Sequence, residues 1–166
     1  VYTMKVGIIG AGTMGSGIAQ AFASTQGYEV VLCDVSQEFA DNGKQRIKKG
    51  LDKLVAKGKM EQAVADGIIG KISTGLAEDV CDCDLIVEAV LEKMELKQQL
   101  FSQLDLICKE TCIFATNTSS LSITEMGKGI NRTIVGMHFF NPAPVMKLVE
   151  VIAGLNAPKE AVDRIC

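Results

Sequence analysis

Apolar positions along the chain switch repeatedly between two periods. A short apolar run at Val6, Ile8 and Ile9 gives way to apolar residues at helical spacing (Met14, Ile18, Ala19, Phe22, Ala23), then to a β-branched run at Val30–Leu32. After Asp34 the period lengthens to about 3.6 residues. Ser36 can cap a long helix reaching about Lys57, with Ala40, Ile47, Leu51, Leu54 and Val55 on one arc. Gly58 ends that helix, and Met60–Ile69 predicts a shorter one stopped by Gly67 and Gly70. Ile72–Thr74 reads as a third strand. Asp84–Glu88 reads as a buried one, because its apolar run is unbroken, the habit of parallel sheets covered on both faces. A helix over Met94–Ile107, a strand at Cys112–Thr116, a short helix around Ile123–Met126 and strands at Thr133–Met137 and Leu148–Ile152 follow. Strands alternate with helices, so the predicted class is α/β with a doubly wound, mostly parallel sheet.

The junction between the first strand and first helix carries the first chemical signal. It reads G-A-G-T-M-G, with glycines at Gly10, Gly12 and Gly15. Gly10 allows the tight turn off the strand, Gly12 has no Cβ to block a pyrophosphate, and Gly15 lets helix and strand pack closely. The free N–H groups of the new helix then face the phosphates, and its dipole favours negative charge. An acid, Asp34, closes the second strand at the distance expected for a ribose clamp. Gly10, Gly12, Thr13, Met14, Gly15 and Asp34 are therefore the candidate cofactor residues of a Rossmann-type domain. A glycine-rich turn with no ligand is the bland alternative.

Composition narrows the class without choosing an activity. The chain has 166 residues, enough for one domain with a real core, and 48% hydrophobic against 22% charged residues is ordinary for a globular protein. No apolar run approaches the roughly 18–20 residues of a membrane span, and no secretory leader pattern is present. A net charge of -3 gives no reason to expect nucleic acid. The six cysteines are spread along apolar segments without metal-ligand pairing, which fits reduced thiols in the cytoplasm or an organellar matrix better than disulfides, and no metal site is expected.

His138, the one histidine, ends a predicted strand, where open α/β sheets place their ligands. Glu150 follows on the next strand, close enough in sequence to reach an imidazole nitrogen. A carboxylate there fixes the tautomer and tunes His138 as an acid/base near neutral pH. Asn117-Thr118-Ser119-Ser120 follows another strand and either faces the same crevice or caps the helix after it. Glu92 and Lys97 begin the helix that lines the cleft in such folds, although a surface pair is the bland reading. Arg46, Lys49, Lys53 and Lys57 fall within about 80° of one another on the long helix. That basic stripe is either a solvated face or a docking strip for an anionic substrate.

Taken together, G-A-G-T-M-G with Asp34, V-E-A-V-L-E, N-T-S-S-L and H-F-F-N-P-A-P-V-M-K-L-V-E-V resemble the 3-hydroxyacyl-CoA dehydrogenases, particularly the short-chain 3-hydroxybutyryl-CoA type. The resemblance covers essentially the whole chain. It implies NAD-dependent interconversion of L-3-hydroxyacyl-CoA and 3-ketoacyl-CoA, with His138 as the catalytic base and Glu150 as its partner. It also implies that Ser119 contacts substrate and cofactor, that Asp34 holds the adenosine ribose, and that Glu92, Lys97 and Asn141 lie along the NAD site. In that setting Lys49, Lys53 and Lys57 would meet the acyl-CoA substrate. The family has a second, largely helical domain that carries most of the dimer interface. Asn156 and Pro158 start a C-terminal helix that stops after about two turns, too short to be stable alone. The expectation is thus a truncated NAD-binding domain, weak or inactive by itself and homo-oligomeric in its full-length form. Two other readings stand beside it. One is a non-catalytic NAD(H)-binding protein with the same fold, as in crystallins related to this family. The other is a hydroxyacid dehydrogenase using a G-x-x-x-N-x-x-K helix, which this sequence lacks.

Overall fold

A computed structural model describes residues 3–117, 123–130, 132, 134–138 and 150–153. In chain order the elements are β1 (Met4–Ile9), α1 (Thr13–Ala23), β2 (Tyr28–Cys33), α2 (Gln37–Ala56), α3 (Gln62–Gly70) and β3 (Ile72–Gly75). After a single 3-10 turn at Ala77–Val80 come β4 (Leu85–Glu88), α4 (Met94–Ile107), β5 (Ile113–Thr116), α5 (Ile123–Met126), β6 (Ile134–His138) and β7 (Glu150–Ala153). All these strands join one sheet in the order β3-β2-β1-β4-β5-β6-β7. Every pairing is parallel except β6 with β7, which is antiparallel. The α/β, mostly parallel expectation holds.

Period two within the strands sorts side chains into two layers. Val6, Ile8, Val30 and Leu32 pack with Ile18 and Ala19 of α1, Ile47 and Leu51 of α2 and Ile68 of α3. Their neighbours Ile9, Val31, Cys33, Ile86 and Phe114 point the other way, onto Phe101 and Leu104 of α4 and Met126 of α5. Arg132 ties the second layer together. Its guanidinium lies 4.4 Å over the Phe114 ring, pairs with Asp105 at 2.9 Å and donates to the carbonyls of Lys109, Cys112 and Cys108 near the end of α4.

Three details differ from expectation. Gly67 does not stop α3, which runs on to Gly70. An interior glycine costs about 1 kcal/mol relative to alanine, whereas burying Ile68 one residue later returns about 1.5–3 kcal/mol, so packing wins. The 3-10 turn at Ala77–Val80 was not anticipated. It forms because the Asp79 carboxylate accepts from the Leu76 N–H at 2.8 Å while Val80 is buried. Strand ends shift by a residue or two, and the predicted C-terminal helix from Asn156 lies outside the described residues.

The cysteines among the described residues are all free thiols. Burial pushes the Cys33 and Cys83 thiols up to about 12. Among the described residues no helix is long and apolar enough to cross a membrane, and no cluster of ligating side chains could hold a metal ion.

Candidate functional site

The sheet order changes direction between β1 and β4. From β1 the chain winds outward through β2 to β3, then returns across the sheet to lay β4 on the opposite side of β1. Ile9 and Glu88 are register partners at the carboxyl ends of these two strands. Loops leaving them diverge to opposite faces and open a crevice there, the place where open α/β sheets take ligands. A cleft of about 610 Å³ occupies it, lined among others by Gly10, Gly12, Asp34, Val35, Ala89 and Leu96.

The glycine loop is explained by contacts on two sides and by open space on the third. Gly10 has a φ of 110°, and a Cβ there would lie 2.5 Å from the Ala89 carbonyl oxygen. A Cβ on Gly15 would come within 1.6 Å of the Gly10 carbonyl oxygen, so α1 and the loop touch backbone to backbone. Gly12 is different. Its φ of -75° suits any residue, and a Cβ there would meet nothing within 4 Å. It stands at the N-terminus of α1, whose first turn carries no acidic residue and receives no side-chain cap. Thr13 and Met14 begin the helix beside it. Among the described residues no packing requires glycine at position 12, and the open space lies against the free N–H groups of this helix end, where an anion is favoured.

Asp34 ends at the same crevice. One carboxylate oxygen accepts from the Ala11 N–H and the other from the Val35 N–H, both at 2.7 Å. An ionised carboxylate has about four acceptor positions, so two backbone bonds orient it and leave lone pairs for hydroxyl donors. α2 braces the loop from behind. Gly43 lets α2 approach until a Cβ would touch Ala11 at 2.8 Å, and Arg46 donates to the Ala11 carbonyl at 3.0 Å and the Ser16 hydroxyl at 3.3 Å. The basic stripe thus divides: the Arg46 guanidinium turns in to the glycine loop, while Lys49 and Lys53 lie exposed along α2 and Lys57 at its C-terminal cap.

On the other wall, β4 ends in Glu88, which is fully buried. Its carboxylate accepts from the Val90 N–H at 2.7 Å, from the Lys97 ammonium at 2.5 Å, and from the Thr116 hydroxyl on β5. Lys97 is 1% exposed and also reaches Glu92 at 3.0 Å and the Val90 carbonyl at 3.5 Å. Glu92 and Lys97 are therefore paired as the spacing allowed, but not as a surface pair. Glu92 sits in the loop before α4, and Lys97 lies inside. Glu88 and Thr116 escaped sequence reasoning. Their signal was a polar residue closing an otherwise apolar buried strand, twice, on neighbouring strands.

His138 ends β6, and the β6–β7 register sets it opposite Glu150. Asn117 follows β5, its N–H donating to the Glu88 carbonyl at 2.9 Å. Ser119 and Asn141 lie outside the described residues.

A mostly parallel, doubly wound sheet, a glycine loop feeding a helix N-terminus and an acid at the end of β2 define a dinucleotide-binding domain of the Rossmann class. The chain belongs to the family described as 3-hydroxyacyl-CoA dehydrogenase, NAD binding domain, which matches residues 5–166. It is 48% identical over 165 residues to a 3-hydroxybutyryl-CoA dehydrogenase of Clostridioides difficile, covering 98% of this chain and 58% of that protein. The human mitochondrial hydroxyacyl-coenzyme A dehydrogenase is 44% identical, over 92% of this chain and 51% of its own. The crystal structure of (S)-3-hydroxybutyryl-CoA dehydrogenase from Ralstonia eutropha superimposes with a TM-score of 0.92 at 39% identity, covering 98% of this chain and 58% of that one. The chain spans a little over half the length of these relatives.

Proposed function

We propose that this chain binds NAD(H) and that the protein it represents interconverts 3-hydroxyacyl-CoA and 3-ketoacyl-CoA, with 3-hydroxybutyryl-CoA as the substrate. The observation that carries the cofactor half is the unfilled space at Gly12 beside the α1 N-terminus, with Asp34 on the same cleft. Gly10, Gly12, Thr13, Met14 and Gly15 would hold the pyrophosphate and Asp34 the adenosine ribose; Glu92, Lys97 and Asn141 would lie further along the cofactor. Bound NAD supplies the acceptor for the hydride that leaves C3 of the substrate.

The chain's own residues then have two tasks. His138 takes the proton of the C3 hydroxyl as the carbon–oxygen bond becomes a carbonyl, and Glu150 stabilises the resulting imidazolium. Their opposed register on β6 and β7 supports this pairing. Ser119 would hydrogen-bond the substrate oxygen. Lys49, Lys53 and Lys57 would meet the phosphates of coenzyme A, supported by their common exposure on α2 and its C-terminal cap. Acyl-CoA turnover and homo-oligomer formation are proposed for the protein as a whole, cofactor binding for this chain, and a soluble compartment, cytoplasm or mitochondrial matrix, for both.

NADH and NADPH titrations of this chain, with acetoacetyl-CoA reduction by the whole protein, test the reading. NADH should bind more tightly, because Asp34 repels a 2′-phosphate and Val35-Ser36-Gln37 offers no arginine to receive one. Asp34→Ala should narrow that gap. Equal affinity for both in the unmutated chain would sink the assignment of Asp34. NADH binding without turnover in the whole protein would favour a non-catalytic binding protein.

A further inference from the structure

The glycine loop is gripped from behind by a side chain that the basic stripe does not explain. α2 comes so close at Gly43 that a Cβ there would lie 2.9 Å from the Ala11 carbonyl oxygen. Arg46, one turn further along the same face, reaches that oxygen with Nη1 at 3.0 Å and the Ser16 hydroxyl at 3.3 Å. Ser16 is 2% exposed, and its own hydroxyl donates to the Ala11 carbonyl at 3.2 Å. The other end of Ala11 is held too, since its N–H donates to the Asp34 carboxylate at 2.7 Å. Ala11 is thus fixed between an anion at its N–H and a cation at its carbonyl.

The consequence falls on the next amide. The Ala11 carbonyl and the Gly12 N–H belong to one planar trans peptide, so they point in opposite directions. An oxygen held toward α2 therefore turns the Gly12 hydrogen away from α2, on the side where Gly12 borders the cleft. Among the described residues this N–H has no acceptor, as befits a donor at the start of a helix. Glycine is permissive in φ, so sterics alone leave this peptide plane free to turn. The bonds to the Ala11 oxygen set it.

We propose that Arg46, backed by Ser16, is a positioning residue for the cofactor: it fixes the Ala11–Gly12 peptide so that the Gly12 N–H already faces the place of the pyrophosphate. This rests on the reading of the cleft as an NAD(H) site. A donor set in place before the ligand arrives spares binding an ordering cost. The same contacts set Arg46 apart from the lysines further along α2. Its cation is engaged at the loop, so it serves the dinucleotide rather than an acyl-CoA.

The test is a set of titrations on the unmutated chain, Arg46→Met, Arg46→Lys and Ser16→Ala, each beside a thermal melt. The ligands are NADH and adenosine, which has no phosphate. Arg46→Met keeps most of the apolar stem, and should weaken NADH about five- to tenfold while adenosine changes by less than about twofold. Arg46→Lys keeps a cation able to donate to the same oxygens and should recover part of that loss. Ser16→Ala leaves the Arg46 bond to Ala11 in place and should weaken NADH about two- to threefold. The loss in Arg46→Met should persist at high salt, because it comes from short hydrogen bonds and not from a distant field. Unmutated NADH affinity in Arg46→Met overturns the proposal. So does an equal loss of adenosine, the mark of a fold loosened throughout, and so does a loss that vanishes at high salt, the mark of plain charge attraction. No NADH binding by the unmutated chain overturns the cofactor reading, and this inference with it.

Discussion

The two walls of the crevice are built on opposite physical plans. On the β1–α1 side the work is done by missing side chains: Gly10 and Gly15 let backbone touch backbone, and Gly12 leaves space. The one carboxylate there, Asp34, is only half-buried and is satisfied by two backbone N–H groups. On the β4–α4 side a buried ion pair lies behind the loop of Ala89, Val90 and Leu91, with Glu92 as a third charge. The first plan turns on close backbone approach, so Gly10 and Gly15 tolerate no added atom, and no buried charge has to be neutralised. The second joins Glu88 to Thr116, 28 residues away on another strand. It therefore fails when any one partner is lost. The same crevice is held rigid by sterics on one wall and by electrostatics on the other.

The sharpest way to break that comparison is to remove a single charge. Lys97→Met leaves Glu88 buried without its cation, and should destabilise by about 3–5 kcal/mol, lowering the melting temperature by roughly 6–20 °C for a chain of this size. A melt within a couple of degrees of the unmutated chain would remove the distinction between the walls. On the steric wall the counterpart is Gly15→Ala. Its Cβ would collide with a backbone oxygen that cannot swing aside, so about 3 kcal/mol is expected, the upper end of overpacking costs.

Gly12→Ala sharpens the comparison because it separates fold from function. The added methyl group meets no atom within 4 Å, so the melting point should stay within about 2 °C, since a surface change of this kind rarely exceeds ~0.5 kcal/mol. NADH affinity should fall about tenfold or more if a pyrophosphate occupies that space. A calorimetric titration beside the melt reads both, and unchanged affinity would return the loop to a plain βα turn. The smallest effects belong to α2. Lys49→Ala and Lys53→Ala should each weaken acyl-CoA by a few tenths to about 1 kcal/mol, and the difference should shrink as salt rises. Binding measured at low and high salt in the whole protein checks this, and indifference to both mutation and salt would make the stripe a solvated face.

Local grammar was legible with little loss. Ser36 caps α2 as expected, accepting from the Phe39 N–H at 3.2 Å, and α4 and α5 run over the residues that periodicity assigned. The glycine loop was legible for the same reason, since its signal is the spacing of glycines within six residues, although the contact that holds Gly10 comes from Ala89 across the crevice. Partnership across the sheet was not. Lys97 reads as a helix-surface residue from its i, i+5 distance to Glu92, and nothing in that distance shows that it points inward to Glu88. Arg46 likewise belongs to a basic arc by helical angle, yet its guanidinium turns in to the glycine loop.

What the sequence determined by itself was the alternation of elements, the class of sheet, the glycine-and-acid signature of a dinucleotide site and, through its motifs, the family. These follow from periods and spacings of a few residues, which survive in any chain that keeps them. The tertiary structure alone decided which polar groups became internal. Glu88, Thr116 and Lys97 meet because β4 lies between β1 and β5, and that order is set by the crossover of the whole chain rather than by any local pattern. A buried charge is tolerable only where its partners converge, and convergence is a property of the sheet.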